Sequence, residues 1–574
     1  MEMNEVLNRL PKHLLNLIID QPYNEYTAQD HAVWRYIMRR NIEYLSKVAH
    51  ESYIDGLNST GIHVDQIPSL YGMNRILENI GWASAAVDGF IPPAAFMEFQ
   101  KYNVLVIAAD IRPINQINYT PAPDIIHEAA GHAPIIANQE YASYLREFGK
   151  IGHRAFSSAL NYKIYEAIRH LSILKADPYT TLLDIEAAEE TLKALEGQNV
   201  QLTEMSRIRN LHWWTVEYGL IGSLEQPKIY GAGLLSSIGE SFHCLQNQVK
   251  KIPYSVAAAD YRFDITNMQP QLFVSPDFAT LNTVLNEFTS TMALHRGGIY
   301  GLQLAIESEN IATVEYSSGI QVSGIFVDFI EFEGNCAYIK TSGPTTLNYN
   351  ETMLPTHDKT YHQSGFSSPV GKLINNNIPV EELTDNDLLK IGIEQGKRAL
   401  LQYESGIEVK GFVKSILRKN NKIILIAFED CLVTFQDRVL FQPDWGTYDM
   451  AVGANIQSAF SGPVDPDAFG LEFPAPKEKT HKIQHSKLAK GLHRLYQELR
   501  VIRDTNTGYS KLEQLTKETI SSYPNDWLLP LELYELSRKT NPELAQSLEL
   551  HLNKLKNNST ETSELIDKGM ILFK

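Results

Sequence analysis

Cysteine is nearly absent: the 574 residues carry three, Cys244, Cys336 and Cys431. Three scattered thiols form neither a disulfide framework nor a cysteine metal site, and they read as small buried hydrophobes in a reducing compartment. Positive charge is also short, with 51 Lys and Arg against 68 Asp and Glu and a formal net charge of -17. A surface of that sign repels phosphate backbones and anionic lipid, which argues against nucleic acid or a membrane as partner. Long apolar runs are missing, and the densest, IILIAF from Ile423, falls far short of the roughly 18 residues a membrane span needs. The opening MEMNEVLNRLPKHLL has acidic residues early, with neither a basic start nor a small-residue cleavage site, so a cytoplasmic location without signal or transit peptide is expected.

What is present suffices for several cores, since 43% of residues are hydrophobic and the length exceeds what one core supports. From Ala28 to about Ala305 apolar residues recur at three- and four-residue steps, as in AVWRYIMRRNIEYLSKVAH and NTVLNEFTSTMAL, the pattern of amphipathic helices. Two more helices around an Asp-Pro turn are expected from Glu166. After about Ile311 short β-branched and aromatic runs alternate with glycine, which reads as strands and turns. EYSSGIQVSGIF from Glu315 aligns without gaps with QYESGIEVKGFV from Gln402, so two copies of one β unit are expected. A Gly- and Pro-rich passage from Ser461 reads as a linker, and helical spacing returns in KLAKGLHRLYQELRVI. The expected fold is multidomain: a mostly α domain with little β over residues 1–308, a duplicated β-rich region over 309–460, a linker over 461–482 and a helical tail over 483–574.

Chemistry concentrates in PDIIHEAAGHAPII, residues 123–136. His127 and His132 are five apart, about 140° around a straight α-helix, so they converge on one metal only if the helix ends or bends between them. Gly131 permits a bend and Pro134 opposes continuation, which predicts a helix ending at its second histidine. Two imidazoles need an anionic partner, and Glu217 in LHWWTVEYGL is a carboxylate set among large apolar residues. Buried, it would demand a cation; on the wet side of an amphipathic helix it would not. Two histidines and one carboxylate on one side of a metal leave the other side open, which suits non-haem Fe(II), and zinc accepts the same set.

YTPAPDIIHEAAGHAPIIAN from Tyr119, WWTVEYGL and IYGAGLLSSIGE resemble, in order, three signatures of the pterin-dependent aromatic amino acid hydroxylases. The resemblance spans about Trp34 to Ala305 and places the family's metal ligands on His127, His132 and Glu217. It implies Fe(II) and a tetrahydropterin such as tetrahydrobiopterin as cofactors, and O2 with a free aromatic amino acid as substrates. Phe96 would stack on the pterin ring and Glu128 would reach it through water. Arg112 would pair with the substrate carboxylate, Thr120 and Ser236 would lie beside it, and Pro123 and Trp213 would wall the aromatic ring. Trp213, where tryptophan-using relatives tend to carry phenylalanine, and Ile265, where tyrosine-using relatives tend to carry an acid, lean toward phenylalanine. Asp124 reads most simply as a helix cap.

Ala129-Ala130 where leucines are usual, His212 where tyrosine is common, and a longer segment before Glu217 depart from the family's compact members. No regulatory module is expected before the catalytic region, and the residues after 310 resemble nothing in it; an oligomerisation surface, a partner-binding module and a regulatory domain are the roles open to them. Tryptophan or tyrosine hydroxylation, a zinc hydrolase using Glu128 as base, and a non-catalytic binding protein are the competing readings. Gly131 at the fourth position and the lack of a nearby third peptidase ligand disfavour the hydrolase.

Overall fold

The computed structural model describes residues 4–118, 123–176, 180–198, 202–263, 268–473 and 485–573. The chain is multidomain, with a helical first half followed by a β-rich region and further helices. Among the described residues no helix is long and apolar enough to cross a membrane.

The central element of the first half is the helix Ala28–Val48. A capping box starts it: the Thr27 hydroxyl accepts the Asp30 N–H, and the Asp30 carboxylate accepts the Thr27 N–H at 2.7 Å. Consecutive residues His31 to Met38 are all buried, so this helix has no wet face over that stretch and must be covered on every side. Two small sheets flank the helices. In one, the parallel strands Ala83–Val87 and Val104–Ala108 are buried at every position, as a sheet covered on both faces requires. In the other, Pro227–Ile229, Leu220–Gly222, Gln271–Ser275 and Lys250–Pro253 lie in that order. The helices Ala159–Ala176 and Leu182–Glu196 form the pair expected around Glu166, and the Asp-Pro turn between them lies outside the described residues.

The β-rich region holds two sheets, each built on a three-stranded antiparallel meander. Ile311, Ile320 and Asn335 open the strands of the first, and Arg398, Ile407 and Lys422 those of the second, all at an offset of 87 residues. The glycines at the first turns, Gly319 and Gly406, have φ of 91° and 85°, a conformation in which a side chain would be strained. The helix Gly298–Glu307, grouped by its sequence texture with the first half, packs Leu302 and Ala305 into the core of the first sheet. The passage from Ser461 is less free than a linker. Ser461 ends a strand, Pro466–Phe469 is a short helix, and Asp465 accepts the Met353 N–H at 3.0 Å. Residues 474–484 lie outside the described set.

The last helices supply the missing cover of Ala28–Val48. Trp527 meets Tyr36 edge to face at 5.1 Å, and the Tyr36 hydroxyl donates to the Leu565 carbonyl at 2.7 Å. Arg35 forks onto Glu532 of the helix Leu528–Thr540 at 2.6 and 2.8 Å, both side chains under a tenth exposed, and Arg39 pairs with Glu535 at 2.7 Å. Burial pushes the Glu532 carboxyl up, but the guanidiniums of Arg35 and Arg503 outweigh it and hold it at about 2. A carboxyl depressed on folding contributes stability above its unfolded value and loses it as pH falls through its folded one. Acid should therefore release these helices between about pH 4.5 and pH 2. Glu532→Gln, which leaves Arg35 buried and unpaired, should cost about 3–5 kcal/mol in urea unfolding at pH 7; an unchanged midpoint would refute the clamp.

Candidate metal centre

His127 and His132 stand on Ile126–His132, which is wound as a π-helix. Its i→i+5 hydrogen bonding brings residues five apart onto nearly the same face. The two rings meet edge to face with centroids 4.9 Å apart. The predicted helix end does not occur, because the wider turn already solves the spacing, and the backbone runs on as an α-helix over Ala133–Ile136 with Pro134 in its first turn, where proline is tolerated. Gly131 has another purpose than bending. A Cβ there would sit 2.6 Å from the Ala232 carbonyl oxygen, so glycine admits the short helix Ala232–Ser236 against the histidine-bearing backbone.

Glu217 closes a second π-helical segment, Trp213–Glu217, which extends the helix Glu204–His212. Its carboxylate is buried, not on a wet face. Oε2 lies 3.1 Å from His127 Nε2, and Oε1 lies 3.4 Å from His132 Nε2. Adjacent donors on one ion with bonds of about 2.1 Å stand about 3 Å apart, so each imidazole stands from Glu217 at about the spacing of a shared metal ligand. His132 Nε2 is buried without a hydrogen-bond partner, an atom that a metal would satisfy.

Glu128 is the competing carboxylate, 3.7 Å from His132 Nε2, with a buried Oε2 that also lacks a partner. Charge separates the two. Burial raises Glu128 toward its neutral form, whereas the two imidazoles outweigh burial at Glu217 and hold it far below the usual carboxylate range. Glu217 is the anion of the set. Burial also opposes charge on His127, yet the adjacent Glu217 carboxylate more than offsets this and lifts the imidazole to about 9 in the metal-free protein.

The neighbours orient these groups. The Ser236 hydroxyl donates to the Ala232 carbonyl at 2.7 Å, and so accepts from His127 Nδ1 at 3.0 Å, leaving Nε2 as the nitrogen for a metal. Ser237 caps the following helix through the Glu240 N–H. Asp124 does cap, accepting the His127 N–H at 3.0 Å, and it also receives Arg112 through Nε and Nη2, both at 2.8 Å. Arg112 is thus buried, not on the surface as its sequence alone would place it. Phe96, half-buried, meets His212 edge to face at 5.6 Å, and His212 Nδ1 lies 3.8 Å from Glu217. Burial holds His212 down at about 4, so it is a neutral neighbour. Trp213 stacks with Phe263 at 4.1 Å and Tyr218 at 4.7 Å. Pro123 directly precedes Asp124, half-buried. Thr120 and Ile265 lie outside the described residues.

Sequence reasoning passed over Asp124 as the partner of Arg112, Ser236 as the holder of His127, and Glu240, a carboxyl that burial pushes up to about 7 beside the Tyr218 hydroxyl. Each lies within a quoted motif, but nothing in the motif states the contact.

The family described as biopterin-dependent aromatic amino acid hydroxylase matches residues 19–160 and 164–297. The phenylalanine-4-hydroxylase of Chromobacterium violaceum is 28% identical over 277 residues, covering 46% of this chain and 78% of that protein. That of Pseudomonas aeruginosa is 28% identical over 272 residues, covering 47% and 86%. Among solved structures, the C. violaceum phenylalanine hydroxylase with bound oxidised Fe(III) aligns with a TM-score of 0.38 at 24% identity, over 48% of this chain and 86% of that one.

Ser236→Ala should weaken divalent metal binding about 10–100-fold, read by titration of the stripped protein, because it frees the His127 ring without removing a ligand. At pH 7 metal uptake should release about one proton, since His127 must give up its proton to bind, and affinity should rise with pH toward about 9. Calorimetry in two buffers of different ionisation enthalpy measures this, and uptake without proton release would contradict the assignment.

Proposed function

Residues 19–160 and 164–297 of the chain belong to the biopterin-dependent aromatic amino acid hydroxylases, and from that premise we propose that it hydroxylates free L-phenylalanine to L-tyrosine with O2, Fe(II) and a tetrahydropterin. The observation that carries this reading is the approach of His127, His132 and Glu217, from two π-helical segments, to about the separation of ligands on one ion. The phenylalanine-4-hydroxylase relatives support the choice of substrate.

His127, His132 and Glu217 would hold the iron, which when bound supplies, together with the pterin, the activation of oxygen. The protein's share is positioning. Arg112 spends one edge of its guanidinium on Asp124, and the Nη1/Nη2 edge is the fork left for the substrate carboxylate. Its counterion caps the histidine helix, so the substrate anchor and the metal ligands share one frame. Trp213, stacked with Phe263 and Tyr218, and Pro123 would wall the aromatic ring. Phe96 would stack on the pterin and Glu128, raised by burial, would reach it through water. Thr120 and Ile265 are assigned to the substrate side by resemblance alone.

We further propose that the two meanders offset by 87 residues are copies of one unit, that the protein works in the cytoplasm, and that its C-terminal regions are where copies of the chain would associate.

Product analysis with phenylalanine, tyrosine and tryptophan, each with Fe(II), tetrahydropterin and O2, should give tyrosine from phenylalanine as the main product. Glu217→Ala should lose iron and tyrosine formation together, with kcat/KM down by at least about 100-fold. Full activity with zinc and no iron, or an iron-loaded wild type that forms no hydroxylated product, would overturn the reading.

A further inference from the structure

Among the described residues a second set of metal-capable side chains lies far from the first in sequence: His357, His362 and Asp449. The histidines occupy the loop between the strands Thr352–Met353 and Ser367–Pro369 of the first β sheet, and Asp449 sits in Tyr448–Ala451 of the second. They therefore meet between a loop of the first sheet and a strand of the second.

The donor atoms are already close. His357 Nδ1 lies 3.1 Å from His362 Nε2, and the ligand atoms of all three residues fall within 4.8 Å of one another. Two nitrogens on a tetrahedral zinc ion with bonds of about 2.0–2.1 Å stand about 3.3 Å apart, so the imidazole pair has nearly the spacing an ion imposes. One proton at most fits between two ring nitrogens, so at least one ring is a neutral acceptor, the form that binds metal. The loop is held in place: the Asp358 carboxylate accepts the Thr360 and Tyr361 N–H groups, and the Thr345 N–H donates to the His362 carbonyl at 3.2 Å. Asp449 is fixed in its strand opposite Ala427.

Asp449 and His362 are buried, 6% and 8% exposed. Among the described residues no lysine or arginine forms an ion pair with Asp449; Lys414, two strands away in the same sheet, pairs with Glu429 at 3.0 Å. Asp449 takes a hydrogen bond from Tyr361 and feels the charges of His357 and Lys414 without an ion-pair contact, and burial outweighs these and raises it; a divalent ion in contact would supply the missing charge. A cavity of about 680 Å³ opens on the cluster, lined by His362 and Asp449 with Tyr361, Phe366, Trp445 and Thr447. Three protein ligands, two of which, His362 and Asp449, line the cavity, leave a coordination position for something else.

We propose that His357, His362 and Asp449 bind a zinc-type divalent ion whose open position faces this cavity and takes an oxygen donor, water or the carboxylate of a small ligand. The site is separate from His127, His132 and Glu217, and does not depend on the reaction assigned to them.

The full-length chain, stripped of metal and re-equilibrated with Zn2+ alone, should retain two equivalents per chain by mass spectrometry of metals. His357→Ala and Asp449→Asn should each retain one fewer, with tyrosine formation by the iron-loaded enzyme unchanged. With Co2+ in place of Zn2+, Glu217→Ala should still show the visible bands of a tetrahedral centre, and a further His362→Gln should remove them. A Glu217→Ala chain that holds no zinc and shows no tetrahedral Co2+ bands overturns the proposal, and so does a folded His357→Ala that holds as much zinc as wild type.

Discussion

The structure depends on one buried charge. Glu217 is a carboxylate withdrawn from water among Trp214, Val216 and the paired imidazoles, and such a group is stable only beside a positive charge. In the metal-free protein a proton on His127 supplies that charge, and a divalent ion would supply it better by meeting all three side chains at once. The same demand explains why two carboxyls a few ångströms apart behave differently. Glu217 contacts both rings, which outweigh burial and hold it low, while at Glu128 burial outweighs the two rings and raises it. Environment separates their roles.

Two π-helical segments make this convergence possible. An α-helix would carry His132 far around the axis from His127, and the five-residue spacing is useful only because the backbone widens to i→i+5 over Ile126–His132. Such turns are poor in hydrogen-bond geometry and persist where packing on both sides enforces them. Here the enforcement comes from the Ala232–Ser236 helix, which approaches so closely that Gly131 cannot carry a Cβ, and which delivers Ser236 to His127 Nδ1. Position 131 is thus set by interhelix contact, and the ring orientation follows from it.

Much of this was legible in the sequence, and the remainder was illegible for definite reasons. His127, His132 and Glu217 could be named because a metal needs a few residue types in a restricted arrangement, and the helical first half and β-rich second part because period and composition are local signals. The π-helix was missed because its sequence signature is a violated spacing, which a kink explains equally well. Arg112 with Asp124, and Ser236 with His127, are pairs twelve and 109 residues apart whose contacts exist only after folding. The packing of Gly298–Glu307 into the β region escaped for the same reason: its period shows a helix but not which core receives its apolar face.

The last helices are tied to the metal centre through a single rigid element. Ala28–Val48 receives Glu532 on Arg35 and Trp527 on Tyr36, and two turns further along Asn41 donates to the Leu235 carbonyl at 3.1 Å. Leu235 is the residue before Ser236, which fixes the ring of His127. One helix, buried all round over His31 to Met38, therefore carries both the C-terminal clamp and a contact to the backbone that orients the His127 ring. Removing the clamp would expose Tyr36 and leave Arg35 without its partner, so the helix could not keep its position by its remaining contacts at equal cost. The tail is on this ground part of the support of the catalytic half, although it follows the β-rich region in sequence.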